Sequence, residues 1–197
     1  MTTPRDTFPD LTPLAGREVV VGVTGGIAAY KLATVVSRLA QADVGVTVAM
    51  TDAATRFVTP LTFQALSGRP VYTDQWTHVE SQDPQHVALA RRAAVVLVAP
   101  CSMDMCAKLA TGRTDDVVSL IVSAVDLSRQ PVVLAPSMNA QMYGQPSTQR
   151  NVRQLREDGF TVVEPGVGWQ ACRTEGVGRL PEAEELVGAL VEAAGRG

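Results

Sequence analysis

The sequence predicts a single-domain α/β protein, a three-layer α/β/α sandwich with a parallel sheet between two layers of helices. Three observations predict it. Short valine-rich runs alternate with amphipathic helical patterns along the chain, as they do where βαβ units build a parallel sheet. The central runs are apolar throughout, as strands covered on both faces must be. Finally, 197 residues of which 46% are hydrophobic make one domain, long enough to bury roughly 70% of the unfolded surface. Such a core needs neither disulfide nor metal to hold it.

The elements follow in order. Residues 1–16, rich in Thr, Pro and Asp, read as a flexible N-terminal arm, with the domain over 17–197. The first strand is 18–23; the segment TGGIAAYK then sets a glycine pair before a helix over 27–40. A second strand, 45–50, ends at Thr51 and precedes a helix over 59–67. A helix over 86–92 leads into the third strand, 94–99, within the longest apolar run, 93–100. That run is far short of the ~20 residues that cross a bilayer. Helices over 103–110 and 115–125, a strand over 131–135, a helix over 148–158, a strand over 160–163 and a helix over 182–193 complete the pattern. The segment 164–180, EPGVGWQACRTEGVGRL, has no period. A loop that long in a compact domain is expected to be a lid or binding loop.

Composition narrows the function. A formal net charge of −3 and the lack of any basic stripe exclude the electrostatic footprint of a nucleic-acid binder. The first residues carry no charged start followed by an apolar core, so no signal peptide is expected. Two His (78 and 86), three Cys (101, 106 and 172) and two Lys (31 and 108) are the reactive side chains. They exclude a three-His zinc site and paired CxxC motifs, so no metal is expected. Unevenly spaced thiols fit a reducing cytoplasm. An enzyme with so few reactive groups borrows its chemistry from a cofactor.

Parallel sheets bind ligands beyond the carboxyl ends of their strands, which directs attention to the loops starting near Thr24, Thr51, Pro100, Pro136 and Pro165. Gly25 and Gly26 allow backbone N–H groups to approach an anion, and equally suit an ordinary tight turn. Their spacing is not GxGxxG. Thr51 stands where a dinucleotide site wants an acid, and a hydroxyl there suits the phosphate of a mononucleotide better. Asn139, between two Met in PSMNAQMY, is a helix cap or a ligand. Cys172 is an inert thiol or a reactive one in a glycine-rich lid. His86, at a helix start, is a cap or a base.

Five segments in order, TGGIAAYK, MTDAATRFVTPLTFQALSG (50–68), APCSMDMCAKLATG (99–112), PSMNAQMY and QACRTEGVGR, cover residues 17–190 and resemble the flavin-containing cysteine decarboxylases. Within that family they are most similar to the bacterial branch acting on 4′-phosphopantothenoylcysteine in coenzyme A biosynthesis. The resemblance implies a Rossmann-like, flavodoxin-like domain that binds FMN. It also implies homotrimers, sometimes assembled into dodecamers, with active sites between subunits. By position, it implies that Gly25, Gly26 and Ile27 form the turn against FMN and that Thr51 lies at the phosphate end. Ser102, Met103, Asp104 and Met105 would run along the flavin, with Ser137 as a further contact. His86 matches the catalytic histidine, Asn139 the ligand of the substrate carboxylate with Met142 in the same substrate site, and Cys172 the proton donor on a flexible flap. There are two departures: Asp104 stands where many members have Asn, and Arg173 where the family usually has Gly. The bifunctional bacterial form continues into a ligase domain, for which 197 residues are expected to leave no room.

The chemistry explains why so few side chains suffice. Loss of carbon dioxide from a cysteine leaves a carbanion beside an amide nitrogen, with no electron sink. Oxidation of the sulfur-bearing carbon to a thioaldehyde places the carboxylate β to C=S, so the electrons flow into sulfur and give an enethiolate. Return of a hydride and a proton yields the thiol with no net redox change. In the family the flavin carries the hydride. The protein must then supply a partner for the thiol (His86), a neutral ligand for the carboxylate (Asn139) and a proton donor (Cys172). Cys101 and Cys106 are expected in the core and His78 at the surface. The alternatives are a peptidyl-cysteine oxidative decarboxylase, which stops at the enethiol and generally lacks the flap Cys, and a flavin prenyltransferase, which lacks these forms of the motifs. A third is a non-catalytic FMN-binding regulatory subunit, which typically loses the Asn or the Cys.

Overall fold

A computed structural model describes residues 8–77 and 84–196. Five strands, β1 (Glu18–Val23), β2 (Gly45–Met50), β3 (Val95–Cys101), β4 (Val132–Pro136) and β5 (Thr161–Val162), form one sheet in the order β2-β1-β3-β4-β5. Every pairing is parallel. This is the flavodoxin-like order, whose direction reverses between β1 and β3.

The period of two along each strand builds the two halves of the core. Val19, Val21 and Val23 of β1 and Val95 and Leu97 of β3 face one side, with α1 (Leu32–Gln41), α3 (Pro60–Ser67) and α9 (Ala183–Ala194). Val20 of β1 and Val96 and Val98 of β3 face the other, with α4 (Gln85–Arg92), α5 (Met103–Thr111), α6 (Val117–Ser123) and α8 (Pro146–Glu157). In α1 the buried residues Leu32, Val35, Val36 and Leu39 make the i, i+3, i+4, i+7 stripe. Helix α6 starts at a capping box in which Asp116 accepts from the N–H groups of Val118 and Ser119.

The differences from the sequence expectations have local causes. The segment expected as one helix over 27–40 opens with a 3-10 stretch, Ile27–Lys31, where the chain leaves an extended Gly26. Two short helices, α2 (Asp52–Thr55) and α7 (Ala140–Gly144), go unexpected because a single turn displays no period. The segment 164–180 contains an antiparallel hairpin, β6 (Gly166–Trp169) and β7 (Glu175–Arg179). Glycines at 166, 168, 176 and 178 hide any alternation there. Residues 11–14, assigned with the arm, are packed on the domain: Leu11 and Leu14 belong to the first half of the core, Leu14 being fully buried. No helix among the described residues is long and apolar enough to cross a membrane.

Candidate active site

The carboxyl ends of β1 and β3 are laced together at the switch point. The buried Thr24 hydroxyl donates to the Pro100 carbonyl at 2.6 Å and accepts from the Ser102 N–H at 3.0 Å. The turn after β1 runs close to α2: a Cβ on Gly25 would lie 2.5 Å from that of Ala53, so only glycine lets the two loops approach. Above these ends opens a cavity of about 670 Å³, the usual size of a small-ligand site. Gly25, Gly26, Ile27, Ser102, Ser137, Asn139, Met142 and Cys172 line it, so loops far apart in sequence converge as the motifs imply. The rest of the wall is mostly apolar, including Met138, Trp169 and Leu180. The charged residues in it, Lys31 and Arg179, are both cationic. They share Glu182, Lys31 Nζ at 3.0 Å and the Arg179 guanidinium at 2.5 Å.

Asn139 both caps a helix and faces the cavity. Its Oδ1 accepts from the Met142 N–H at 2.8 Å and starts α7. That bond fixes the flip of the amide, so Nδ2 and its two hydrogens remain for a ligand. The hairpin docks on the same loop, with the Met138 N–H donating to the Gly178 carbonyl at 3.0 Å. Cys172 sits in its exposed tip, with Sγ 3.0 Å from the Thr174 hydroxyl and 3.6 Å from Gln170 Oε1. Arg173, at the position where the family's glycine is expected, has φ +63°, a left-handed backbone that glycine adopts without strain.

Other expected site residues do not line the cavity. Thr51 caps α2, accepting from the Ala54 N–H at 3.3 Å. Met103 begins α5, and Met105 is buried in the second half of the core. The Asp104 carboxylate, mostly exposed, pairs with Lys108 at 3.2 Å. Lys108 also meets Asp115 and Asp116, each at 2.9 Å. Burial of its ammonium acts to lower its pKa, but the three carboxylates outweigh that and raise it. His86 lies in the first turn of α4, partly buried and outside the cavity wall, and His78 falls outside the described residues. Cys101 and Cys106 are buried, with sulfurs 3.5 Å apart. The hydrogen bond to Cys106, and then burial, push the Cys101 thiol up, leaving it an unreactive core group. No cluster of three or more His, Cys, Asp or Glu among the described residues is placed to hold a metal ion. Gln170, Lys31 and Arg179 also enter the wall; they stand at the ends of the segments TGGIAAYK and QACRTEGVGR, but the resemblance assigns them no role. A long amide two places before the flap Cys was the available signal for Gln170.

A sequence model of the flavoprotein family matches residues 8–195. The chain belongs to the flavoprotein family. Among its relatives is the coenzyme A biosynthesis bifunctional protein CoaBC of Mycolicibacterium smegmatis, 44% identical over 172 residues, or 87% of this chain and 40% of that protein. The CoaBC protein of Bacillus subtilis is 42% identical over 174 residues, covering 88% of this chain and 42% of that one. The flavoprotein thus spans about two fifths of the length of these curated relatives. Among solved structures, the FMN-dependent cysteine decarboxylase SpaF superposes with a TM-score of 0.79 at 32% identity, over 92% of this chain and 99% of that one. A cysteine-to-serine mutant of PPC decarboxylase complexed with pantothenoylaminoethenethiol also gives 0.79, at 26% identity, over 88% and 95%.

Proposed function

We propose that this flavoprotein is an FMN-dependent decarboxylase that converts 4′-phosphopantothenoylcysteine to 4′-phosphopantetheine in coenzyme A biosynthesis, and that it works in the cytoplasm. The observation that carries the proposal is the convergence of Asn139 and Cys172, from separate loops, on one cavity at the sheet's switch point. Their chemistry is what cysteine decarboxylation needs, and the likeness to CoaBC proteins supports the substrate.

The cavity suits FMN. Its apolar walls accept a planar ring system, and its cationic side chains suit a phosphate. Gly25, Gly26, Ile27, Ser102 and Ser137 hold the cofactor, with Thr51, Met103, Asp104 and Met105 shaping the loops behind them. FMN supplies a reversible two-electron acceptor. Asn139 donates from Nδ2 to the substrate carboxylate, a neutral contact that orients it without the ion pair that would oppose its departure. Met142, 41% exposed beside it, covers the apolar part of the substrate. Cys172 donates its proton to the enethiolate carbon. His86 acts on the substrate thiol of a neighbouring copy in a homotrimer, or a dodecamer of trimers. The exposed Ile27, Tyr30 and Trp169 around the cavity mouth support such an arrangement.

The test incubates purified protein with FMN and 4′-phosphopantothenoylcysteine and follows carbon dioxide and products by mass. Carbon dioxide with the saturated thiol is the expected outcome. A protein that binds no flavin, or releases no carbon dioxide, sinks the proposal, and an enethiol end product reassigns the chain to the oxidative peptidyl-cysteine class. Sedimentation of the active form tests the assembly, and an active monomer excludes His86 acting across subunits.

A further inference from the structure

Gln170 stands out in the flap. Its neighbours in the hairpin tip are exposed, yet only 8% of its own surface is accessible. Its amide is fully engaged. Nε2 donates to the Val177 carbonyl at 3.0 Å and, more distantly, to that of Gly176 at 3.4 Å. With the nitrogen end fixed on carbonyls, Oε1 must be the acceptor on the other side, where it takes the Ala140 N–H at 3.1 Å. The same oxygen lies 3.6 Å from Cys172 Sγ. One side chain therefore touches the residue after Asn139, the far strand of the flap and the flap thiol. The backbone allows this close approach because residues 176 and 178 are glycine. A Cβ at 176 would meet that of Ala140 at 2.8 Å, and one at 178 would lie 3.1 Å from Gln170 Nε2.

We infer that Gln170 is a positioning residue: its amide holds the Cys172 S–H, through Oε1, at a fixed place relative to the Asn139 loop. The inference rests on the decarboxylase function proposed above. The polarity of the network follows from the flip of the amide. Oε1 offers only lone pairs, so the sulfur presents its hydrogen to it, and the Thr174 hydroxyl at 3.0 Å becomes the donor to sulfur. An acceptor at that place keeps the proton on Cys172, ready for the second half of the reaction. The first half, loss of carbon dioxide at Asn139, needs no proton from the flap. The two halves should separate when Gln170 is changed.

The experiment uses FMN-loaded protein and 4′-phosphopantothenoylcysteine, with carbon dioxide and the saturated thiol measured separately in one turnover. In Gln170→Leu, carbon dioxide release stays within about 3-fold of the parent while thiol formed per carbon dioxide falls at least about 10-fold, with the enethiol accumulating, since a displaced proton donor loses rates of that order. Should Gln170→Leu fail to fold, Gln170→Met, of similar length and without the amide oxygen, carries the same expectation. An unchanged ratio in the Leu or Met variant overturns the role. A parallel loss of carbon dioxide and thiol also overturns it, leaving Gln170 a mere fastener of the flap. If the parent itself releases no carbon dioxide, the decarboxylase function falls, a result distinct from either.

Discussion

Adding a single methyl group at two different glycines should move stability in opposite directions. At Gly178 a Cβ would lie 2.1 Å from the Met138 carbonyl oxygen, and the backbone stands at φ +130°. Relief requires roughly 1.4 Å of movement, since non-bonded heavy atoms settle near 3.5 Å. The movement must occur where the Met138 N–H meets the Gly178 carbonyl at 3.0 Å. Losing that bond costs about 1 kcal/mol, and more if its groups stay buried and unpaired. Alanine at a positive φ costs about another 1–2 kcal/mol. Gly178→Ala therefore costs about 2–4 kcal/mol if the hairpin stays docked, a fall in Tm of about 5–15 °C for a chain of this size. If the hairpin swings away instead, Tm falls less and proteases cut within 166–179.

Gly188 is the counterpart. It lies inside α9, and a Cβ there would meet nothing within 4 Å. Gly188→Ala should raise stability by about 0.5–1 kcal/mol through helix propensity alone. Calorimetry and limited proteolysis on both variants, with decarboxylation beside them, complete the assay. Parental Tm, protease resistance and turnover in Gly178→Ala would refute the docking of the flap on the Asn139 loop.

Asn139→Asp keeps the helix cap but replaces the N–H donors with a carboxylate oxygen. Its Tm should stay within about 2 °C of the parent, since Asp caps as well as Asn, while carbon dioxide release falls about 100-fold or more, the usual loss when a reaction-site donor is removed; strong residual activity would remove Asn139 from the carboxylate site. Cys172→Ser should still release carbon dioxide yet accumulate the oxidised product with reduced flavin, and unchanged thiol output would exclude Cys172 as the donor. Asp116→Ala loses both bonds of the α6 cap and one partner of Lys108, costing about 1–2 kcal/mol by thermal unfolding. The pH dependence follows from Asp115, whose carboxyl Lys108 holds below the ordinary value, chiefly by a hydrogen bond. A depressed folded value gives stability that is complete above the unfolded carboxylate's pKa, about 3.9, and is lost as pH falls through the folded one. The Tm gap between parent and Lys108→Met should therefore narrow below about pH 4, and a gap that is constant with pH would contradict it.

Strands β1 to β4 were legible because their valine runs are buried on both faces, which leaves an unbroken apolar signal: every residue of β3 is buried. The hairpin was not, because its strands are half exposed and alternate glycine with other residues. Its stability comes from docking on Met138 and Ala140, contacts that no local pattern encodes. Leu11 and Leu14 were obscured in the same way, two apolar residues among Thr, Pro and Asp whose burial depends on α9 and the rest of the first core half. For Asp104, the sequence alone left its partner open. The structure supplies Lys108, one helical turn on, so the carboxylate has an explanation that involves no ligand.

The candidate ligands Thr51, Ser102 and Asn139 show why cap and ligand were hard to tell apart from sequence. Each follows a strand of the parallel sheet, and each accepts a hydrogen bond from the first turn of the next helix. In a parallel sheet the strand's carboxyl end and the helix's amino end share one edge, and ligands bind at that edge. A polar side chain there can therefore satisfy both demands at once. What separates the three is what capping leaves over. Thr51 caps α2 and is buried away from the cavity. Ser102 caps α5 and still reaches the wall. Asn139 alone among them carries a second, chemically opposite end, and its cap leaves that end, two N–H donors, free for a ligand of the cavity that it lines.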